Sequence, residues 1–114
     1  MSSYYTLDDA GEPVGVHDPL AWARWMEENN SRRVAFDVVD GKEVSTVFLG
    51  LDHNFGPHGL PLLFETMVFN VGSYRDLDCK RYATRAEALA GHAQTCDDVR
   101  AGTIGDDAAT EAAQ

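Results

Sequence analysis

A short loop between two strongly apolar runs carries the side chains best suited to chemistry. It reads LDHNFGPHG and places Asp52, His53 and His58 within seven positions. Carboxylate and imidazole groups are common ligands of zinc and other divalent metals, and imidazole also transfers protons near neutral pH. One hypothesis is therefore a small metal-dependent or acid–base enzyme whose metal ligands are Asp52, His53 and His58.

Two further side chains are candidates to complete such a site. Glu65 stands in the apolar run PLLFETMVF, where burial raises the pKa of an unpaired carboxylate and makes it a general acid or base. The alternative for this residue is a salt bridge across a sheet to Arg33, Lys42, Lys80 or Arg81. His92 is either an added ligand or a boundary residue with satisfied hydrogen bonds. If the chain is an enzyme, His53 and Glu65 are the candidate catalytic groups.

The loop also has a purely structural interpretation. Zinc ligands usually come as close-spaced pairs on a turn or helix, and this loop lacks that regularity. Asp52 and Asn54 are residue types that accept hydrogen bonds from loop amides, and His53 can donate one into the end of a sheet. This interpretation is the favoured one, so no cofactor is predicted, with zinc or another divalent metal kept open.

The elements around the loop predict an α+β fold, with an antiparallel sheet of about four strands and two helices packed on one face. The two runs that flank the loop are apolar on both faces, which is typical of central strands. Asp18 and Pro19 begin one helix, and the capping box of Thr84 and Glu87 begins the other. Strands are also expected at residues 4–7, 14–16, 33–39 and 77–83, the last as a charged edge strand.

Side-chain patterns give finer expectations for the strand that starts at Arg33. Val34, Phe36 and Val38 alternate and are expected on one face. Asp40-Gly41 marks a hairpin turn whose register stays open between two alternatives. A three-residue loop with a glycine bulge aligns Val34 and Phe36 with Val44, Thr46 and Phe48, and a two-residue turn aligns them with Val47 and Leu49.

The helices and cysteines carry expectations of burial. Asn29-Asn30 is expected to end the first helix in the left-handed conformation. The second helix is expected to bury a stripe of small residues, namely Ala86, Leu89, Ala93 and Cys96. Cys79 and Cys96 are both predicted to be small buried hydrophobes rather than reactive thiols.

Composition limits the classes of function. The 114 residues carry a net charge of −10, which repels phosphate backbones, so direct nucleic-acid binding is not expected. Acidity favours solubility, a basic protein partner or DNA mimicry. We expect one domain over residues 1–100, a disordered acidic tail over residues 101–114, and a cytoplasmic protein without a membrane span or a signal peptide.

Several strings of the sequence, WARWMEENN, VSTVFLGLDHNFG, PLLFETMVF and RYATRAEALAGH, stand in the same order as in known proteins. On these strings, which fall within residues 21–93, the chain resembles a group of small proteins encoded by bacteriophages and prophages. The resemblance implies a phage source and a coarse shape. It assigns no role to any residue.

The favoured function is therefore that of a small phage-encoded accessory protein that binds another protein and has no enzymatic activity. The two central strands have a second apolar face for which the chain offers no evident cover. A homodimer and a host or phage protein partner are the two occupants left open for that face. The metal-dependent or acid–base enzyme and the acidic DNA mimic are the alternatives.

Overall fold

The structure of this protein is a computed structural model that describes residues 3–104. Two α-helices and six β-strands are formed over this range. The strands are β1 (Tyr4–Leu7), β2 (Pro13–Val16), β3 (Arg33–Val39), β4 (Lys42–Phe48), β5 (Phe64–Asn70) and β6 (Asp76–Tyr82). The helices are α1 (Pro19–Glu28) and α2 (Arg85–Ala101).

The main sheet is antiparallel, has four strands and is ordered β3-β4-β5-β6, which confirms the predicted α+β class and strand count. Strands β1 and β2 pair separately as a two-stranded sheet. Helix α1 packs mainly on this small sheet and reaches the main sheet through Trp25, whose ring meets Phe48 edge-on at 5.9 Å between centroids. Its other indole, on Trp22, donates a hydrogen bond from Nε1 to the Gly50 carbonyl at 3.0 Å.

The helix starts follow the predicted capping chemistry. The Asp18 side chain accepts a hydrogen bond from the Leu20 amide at 3.0 Å, and Thr84 and Glu87 form a reciprocal capping box. The end of α1 differs from the expectation, because Asn29 has φ −124° and is not left-handed. Its backbone amide and its side-chain amide both donate to the Trp25 carbonyl, each at 2.9 Å, so this carbonyl is doubly hydrogen-bonded without a left-handed residue.

The β3–β4 hairpin takes the two-residue alternative. Val39 pairs with Lys42, and the turn residues Asp40 and Gly41 have φ of 49° and 75°, which matches the favoured type I′ hairpin turn. A bulge between Arg33 and Ala35 then changes the side-chain pattern of the strand. An extra residue in a ladder shifts the alternation by one, so Val34 packs towards the core.

The set of residues predicted to share one face of β3 was therefore wrong for one residue, Val34. Phe36 and Val38 share a face, as their ladder partners Ser45 and Glu43 do. Val34 does not join them. Arg33, which pairs with Val47, takes its place beside Phe36.

One face of the main sheet is covered by α2. Alternate residues of β4 and β5 on this face are almost fully buried, namely Val44, Thr46, Phe48, Phe64, Thr66 and Val68. The buried residues of α2 are Ala88, His92, Thr95, Cys96 and Val99. The predicted stripe was wrong except for Cys96, because hydrogen bonds let His92 and Thr95 enter the core where hydrophobicity alone favours alanine and leucine.

Two further expectations concern the cysteines and the C-terminus. Cys96 is buried as predicted, but Cys79 is exposed, because β6 is an edge strand and α2 covers its other face. Helix α2 ends with Gly102 in the left-handed conformation at φ 80°, and Ile104 packs against the core. The rest of the predicted acidic tail lies outside the described residues.

Candidate functional site

The loop that follows β4 is held by its own polar side chains. One carboxylate oxygen of Asp52 accepts hydrogen bonds from the amides of Asn54 at 2.7 Å and Leu62 at 3.0 Å. The Asn54 side-chain amide donates to the carbonyls of His58 and Leu60 at 2.9 and 3.0 Å. Both side chains predicted to cap the loop backbone do so, and they close it into a compact turn.

The two loop histidines take different positions. The Nδ1 atom of His53 lies 2.9 Å from the Leu51 carbonyl, so Nδ1 carries the proton and donates it into the end of the sheet. His58 is exposed, and only its carbonyl takes part in the loop's hydrogen bonds. Asp52, His53 and His58 are not among the three-residue groups with ligand atoms within 4.8 Å found over residues 3–104. A metal site in this loop stays a prediction.

Glu65 lies on the face of the sheet that α2 does not cover. Its carboxylate pairs with Arg81 at 2.9 Å, one of the four salt-bridge partners named from the sequence. The Cys79 thiol lies 3.5 Å from the same carboxylate. Partial burial, and then the negative charge of Glu65, raise the pKa of the Cys79 thiol to about 11, so this exposed thiol is a poor nucleophile at neutral pH.

The uncovered side of the main sheet, here called the open face, presents three rows of side chains across all four strands. The ladder places Arg33, Val47, Glu65 and Arg81 side by side in what we call the arginine row. The middle row contains Phe36, Ser45, Met67 and Cys79. The acid row contains Val38, Glu43, Phe69 and Asp76. No residue of the three rows is fully buried.

Charge changes sign from one end of the open face to the other. Two arginines against one carboxylate give the arginine row a net charge of +1, the middle row has none, and the acid row carries −2. The whole face thus holds −1 of the chain's −10. Its apolar members are half-exposed, with Phe36 at 37% and Val38 at 58% of their surface in contact with solvent.

The opposite face contains a chain of buried polar groups. The hydroxyls of Thr66 and Thr46 contact each other, and Thr46 Oγ1 lies 2.7 Å from Nδ1 of His92. The other ring nitrogen, Nε2, lies 2.7 Å from the carboxylate of Asp37. Because that carboxylate only accepts, Nε2 carries a proton, and in the neutral ring Nδ1 accepts from Thr46.

Cys96 closes the far end of this polar chain. Its sulfur lies 3.8 Å from the same oxygen of Asp37 that meets His92. Burial and the negative charge of Asp37 raise the pKa of the Cys96 thiol. The Asp37 side chain is 57% exposed, whereas that of His92 is 7% exposed, so Asp37 is the member of the cluster that solvent reaches most freely.

Sequence reasoning named His92 only as an added ligand of the loop site or a boundary residue and missed this cluster, although two signals mark it. His92 and Cys96 stand four positions apart, which places them on one face of a helix, the spacing of many metal-ligand pairs. Asp37 is the single charged residue between Ala35 and Val39. The contact between Asp37 and His92 spans 55 positions, and no local sequence pattern predicts a contact between residues so far apart in the chain.

Over residues 3–104, no helix is long and apolar enough to cross a membrane. The chain matches no protein-family model, no curated protein and no solved structure.

Proposed function

We propose that this chain is a phage-encoded accessory protein without enzymatic activity that binds protein through the open face, and that a second copy of the chain occupies that face. The charge pattern of the three rows is the observation that carries the proposal. The resemblance of the sequence to phage and prophage proteins supports the accessory role. The exposed apolar side chains of the middle and acid rows support the docking role.

The proposal requires that both helices leave the open face uncovered. It is supported by the five buried residues of α2, all on the side of Thr46 and Phe48. It is also supported by Trp25 of α1, which reaches the sheet at Phe48 and therefore on that same side. The other strand contacts of α1 are mainly with β1 and β2.

The charge pattern selects a second copy over a basic partner. A strongly basic protein is attracted by an acidic surface, whereas the open face is nearly neutral and apolar at its centre. Two copies related by a two-fold axis along the middle row bring the arginine row of each over the acid row of the other. Arg81 of one copy then lies over Asp76 of the other, which is electrostatically complementary.

The alternative two-fold axis, parallel to the strands, does not give this charge complementarity. It lays the arginine row of one copy over the arginine row of the other, and acid row over acid row. Like charges facing each other at an interface are repulsive. The charge rows therefore favour a second copy as the occupant and this orientation for it.

The size of the open face limits the strength of this contact. Four strands about 4.8 Å apart and seven residues long project roughly 450 Å². Stable interfaces bury about 800 Å² per partner, so the contact is small, and we expect a dissociation constant on the order of micromolar. The protein is then monomeric when dilute and dimeric at higher concentration.

Light scattering across a concentration series tests whether a second copy of the chain occupies the open face. The natural chain is expected to approach twice its mass of 12.5 kDa. Phe36→Asp places a charge beside the axis and is expected to keep the chain monomeric. Leu89→Asp is the matched control, because Leu89 is 43% exposed on α2, which packs on the opposite face of the sheet, and it is expected to dimerise normally.

Three results would overturn the second-copy proposal. They are a natural chain that stays monomeric at every concentration, a Phe36→Asp variant that dimerises, and a Leu89→Asp variant as defective as Phe36→Asp. Capture of a different protein by a chain that stays monomeric would overturn the proposal in the same way as the first result. Circular dichroism of both variants checks that each is folded.

A short bismaleimide cross-linker tests the orientation. Cys79 lies in the middle row, so the axis along that row sets the two copies of Cys79 about 10 Å apart, the spacing of packed sheets. We expect cross-linked dimers to form, and to form slowly, because only a small fraction of this thiol is ionised below pH 9. Val38→Cys in a Cys79→Ser background moves the thiol to the acid row and is expected to give none. Equal yields from the two chains would refute the orientation.

A further inference from the structure

The cluster of Asp37, His92 and Cys96 has the composition of a metal site. These residues contribute a carboxylate oxygen, an imidazole nitrogen and a sulfur that all lie within 4.8 Å of one another. A mixed set of nitrogen, sulfur and oxygen suits zinc and its tetrahedral relatives, whereas magnesium and calcium prefer oxygen alone. We propose that these three side chains bind a zinc-class divalent cation on the covered side of β3.

The distances already approach those of a tetrahedral site. Bonds of about 2.0–2.3 Å from zinc to oxygen, nitrogen and sulfur imply ligand atoms roughly 3.3–3.7 Å apart. The Cys96 sulfur lies 3.8 Å from the Asp37 oxygen. The Nε2 atom of His92 lies 2.7 Å from that oxygen as a hydrogen-bond donor. When a cation replaces the Nε2 proton, the two atoms must separate by roughly 0.6 Å to reach the tetrahedral spacing.

The surroundings of His92 orient the ring for this role. Metal-binding histidines commonly use their second nitrogen in a hydrogen bond that fixes the ring. Thr46 provides that contact at Nδ1, and Thr66 in turn contacts Thr46. When a cation occupies Nε2, the ring proton moves to Nδ1 and is donated to the Thr46 oxygen.

The exposure of the ligands supplies an entry path. Asp37 is more than half exposed at the side chain, and the other two ligands lie behind it. Three protein ligands leave a fourth position, and the exposed side of Asp37 lets solvent fill it. Binding converts the Cys96 thiol to a thiolate and releases its proton to water, so affinity is expected to rise with pH.

Cobalt(II) provides the probe, because its tetrahedral thiolate complexes absorb light and zinc displaces it. The test uses the full chain without a histidine tag. The natural protein is expected to develop a thiolate-to-cobalt charge-transfer band that saturates at one cobalt per chain and disappears on addition of zinc. Absence of the band in a folded chain would overturn the proposal.

Four variants test whether cobalt binds at this cluster rather than at Cys79 or in the loop after β4. Cys96→Ser is expected to abolish the charge-transfer band, and Cys79→Ser to leave it unchanged. Asp37→Asn keeps an exposed side chain of the same shape and is expected to weaken cobalt binding at least tenfold. His53→Ala is expected to change nothing. A band lost with Cys79→Ser or with His53→Ala, or retained with Cys96→Ser, would refute the assignment.

Discussion

The two faces of the main sheet are built from alternate residues of the same strands and use polar groups in opposite ways. On the covered face, Thr46 and Thr66 are almost fully buried, and each hydroxyl is hydrogen-bonded. On the open face, Ser45 and Met67 are half-buried, and the charges lie at the ends. Both faces carry apolar side chains, and α2 covers the face on which Val44, Phe48, Phe64 and Val68 are almost fully buried.

Truncation of a phenylalanine on each face tests this contrast most strongly. Phe48→Ala is expected to lower the free energy of unfolding by about 3–5 kcal/mol, because Phe48 is 1% exposed and packs against Trp25 and Phe64. Phe36→Ala is expected to cost about 1 kcal/mol or less, since its ring is 37% exposed and contacts Arg33 at its face. Urea unfolding of dilute chains measures both.

Equal losses for the two phenylalanines would contradict the contrast. A large loss for Phe36→Ala at low concentration would mean that the open face is part of the monomer's core. A large loss that appears only at high concentration would instead report the dimer, because self-association stabilises the folded chain by mass action. The concentration series is therefore part of the measurement.

A second comparison uses two neighbours that point to opposite faces. Thr46→Val keeps the shape of the side chain but leaves Nδ1 of His92 and the Thr66 hydroxyl without their hydrogen-bond partner. We expect a loss of about 1–3 kcal/mol in the free energy of unfolding, the cost of unsatisfied buried polar groups. Ser45→Val removes a hydroxyl from the open face and is expected to change that energy by about 0.5 kcal/mol or less.

If Ser45→Val proves as costly as Thr46→Val, the hydroxyls matter through strand propensity rather than through the buried network. If neither variant changes stability, the hydrogen bond between Thr46 and His92 contributes nothing net. Urea unfolding of the two variants beside the natural chain distinguishes these outcomes. The free energy is taken at a concentration where all three chains are monomeric.

Local signals in the sequence were sufficient for the elements and for the edge strand. The capping box at Thr84, the Asp18-Pro19 helix start and the Asp40-Gly41 turn are short-range patterns whose chemistry acts within four residues. The four-stranded antiparallel sheet follows from strands placed in order between such turns. The loop capped by Asp52 and Asn54 was predicted in the same way, from residue types that bond nearby loop amides, although its contacts extend to Leu62.

The errors arose where long-range contacts override local pattern. The bulge after Arg33 redirects Val34 because the core needs an apolar group there, and no residue type in the strand encodes it. The buried side of α2 was misplaced because His92 and Thr95 count as polar in any stripe. Their partners lie far along the chain, as Thr46 does for His92, or in the backbone, as the Gly91 carbonyl does for Thr95.

The prediction with the smallest expected effect compares the two cysteines, one on each face of the sheet. Cys79 has its thiol pKa raised from 9.0 to about 11, by partial burial and then by Glu65. The folded state therefore favours the protonated thiol. This contribution to stability is complete below pH 9 and is lost as the pH rises towards 11. Alkylation by iodoacetamide follows the thiolate, so the rate at Cys79 is expected to keep rising through pH 9 and 10.

Mass spectrometry of the alkylated chain separates the two sites. Cys96 is 4% exposed and is expected to react only as fast as the chain unfolds, whatever the pH. Glu65→Gln removes the negative charge beside Cys79 and is expected to shift its pH profile downward without changing that of Cys96. A Cys79 profile with its midpoint near pH 9 in the natural chain would contradict the raised pKa that partial burial and Glu65 give its thiol. A fast Cys96 would mean that α2 does not seal the covered face.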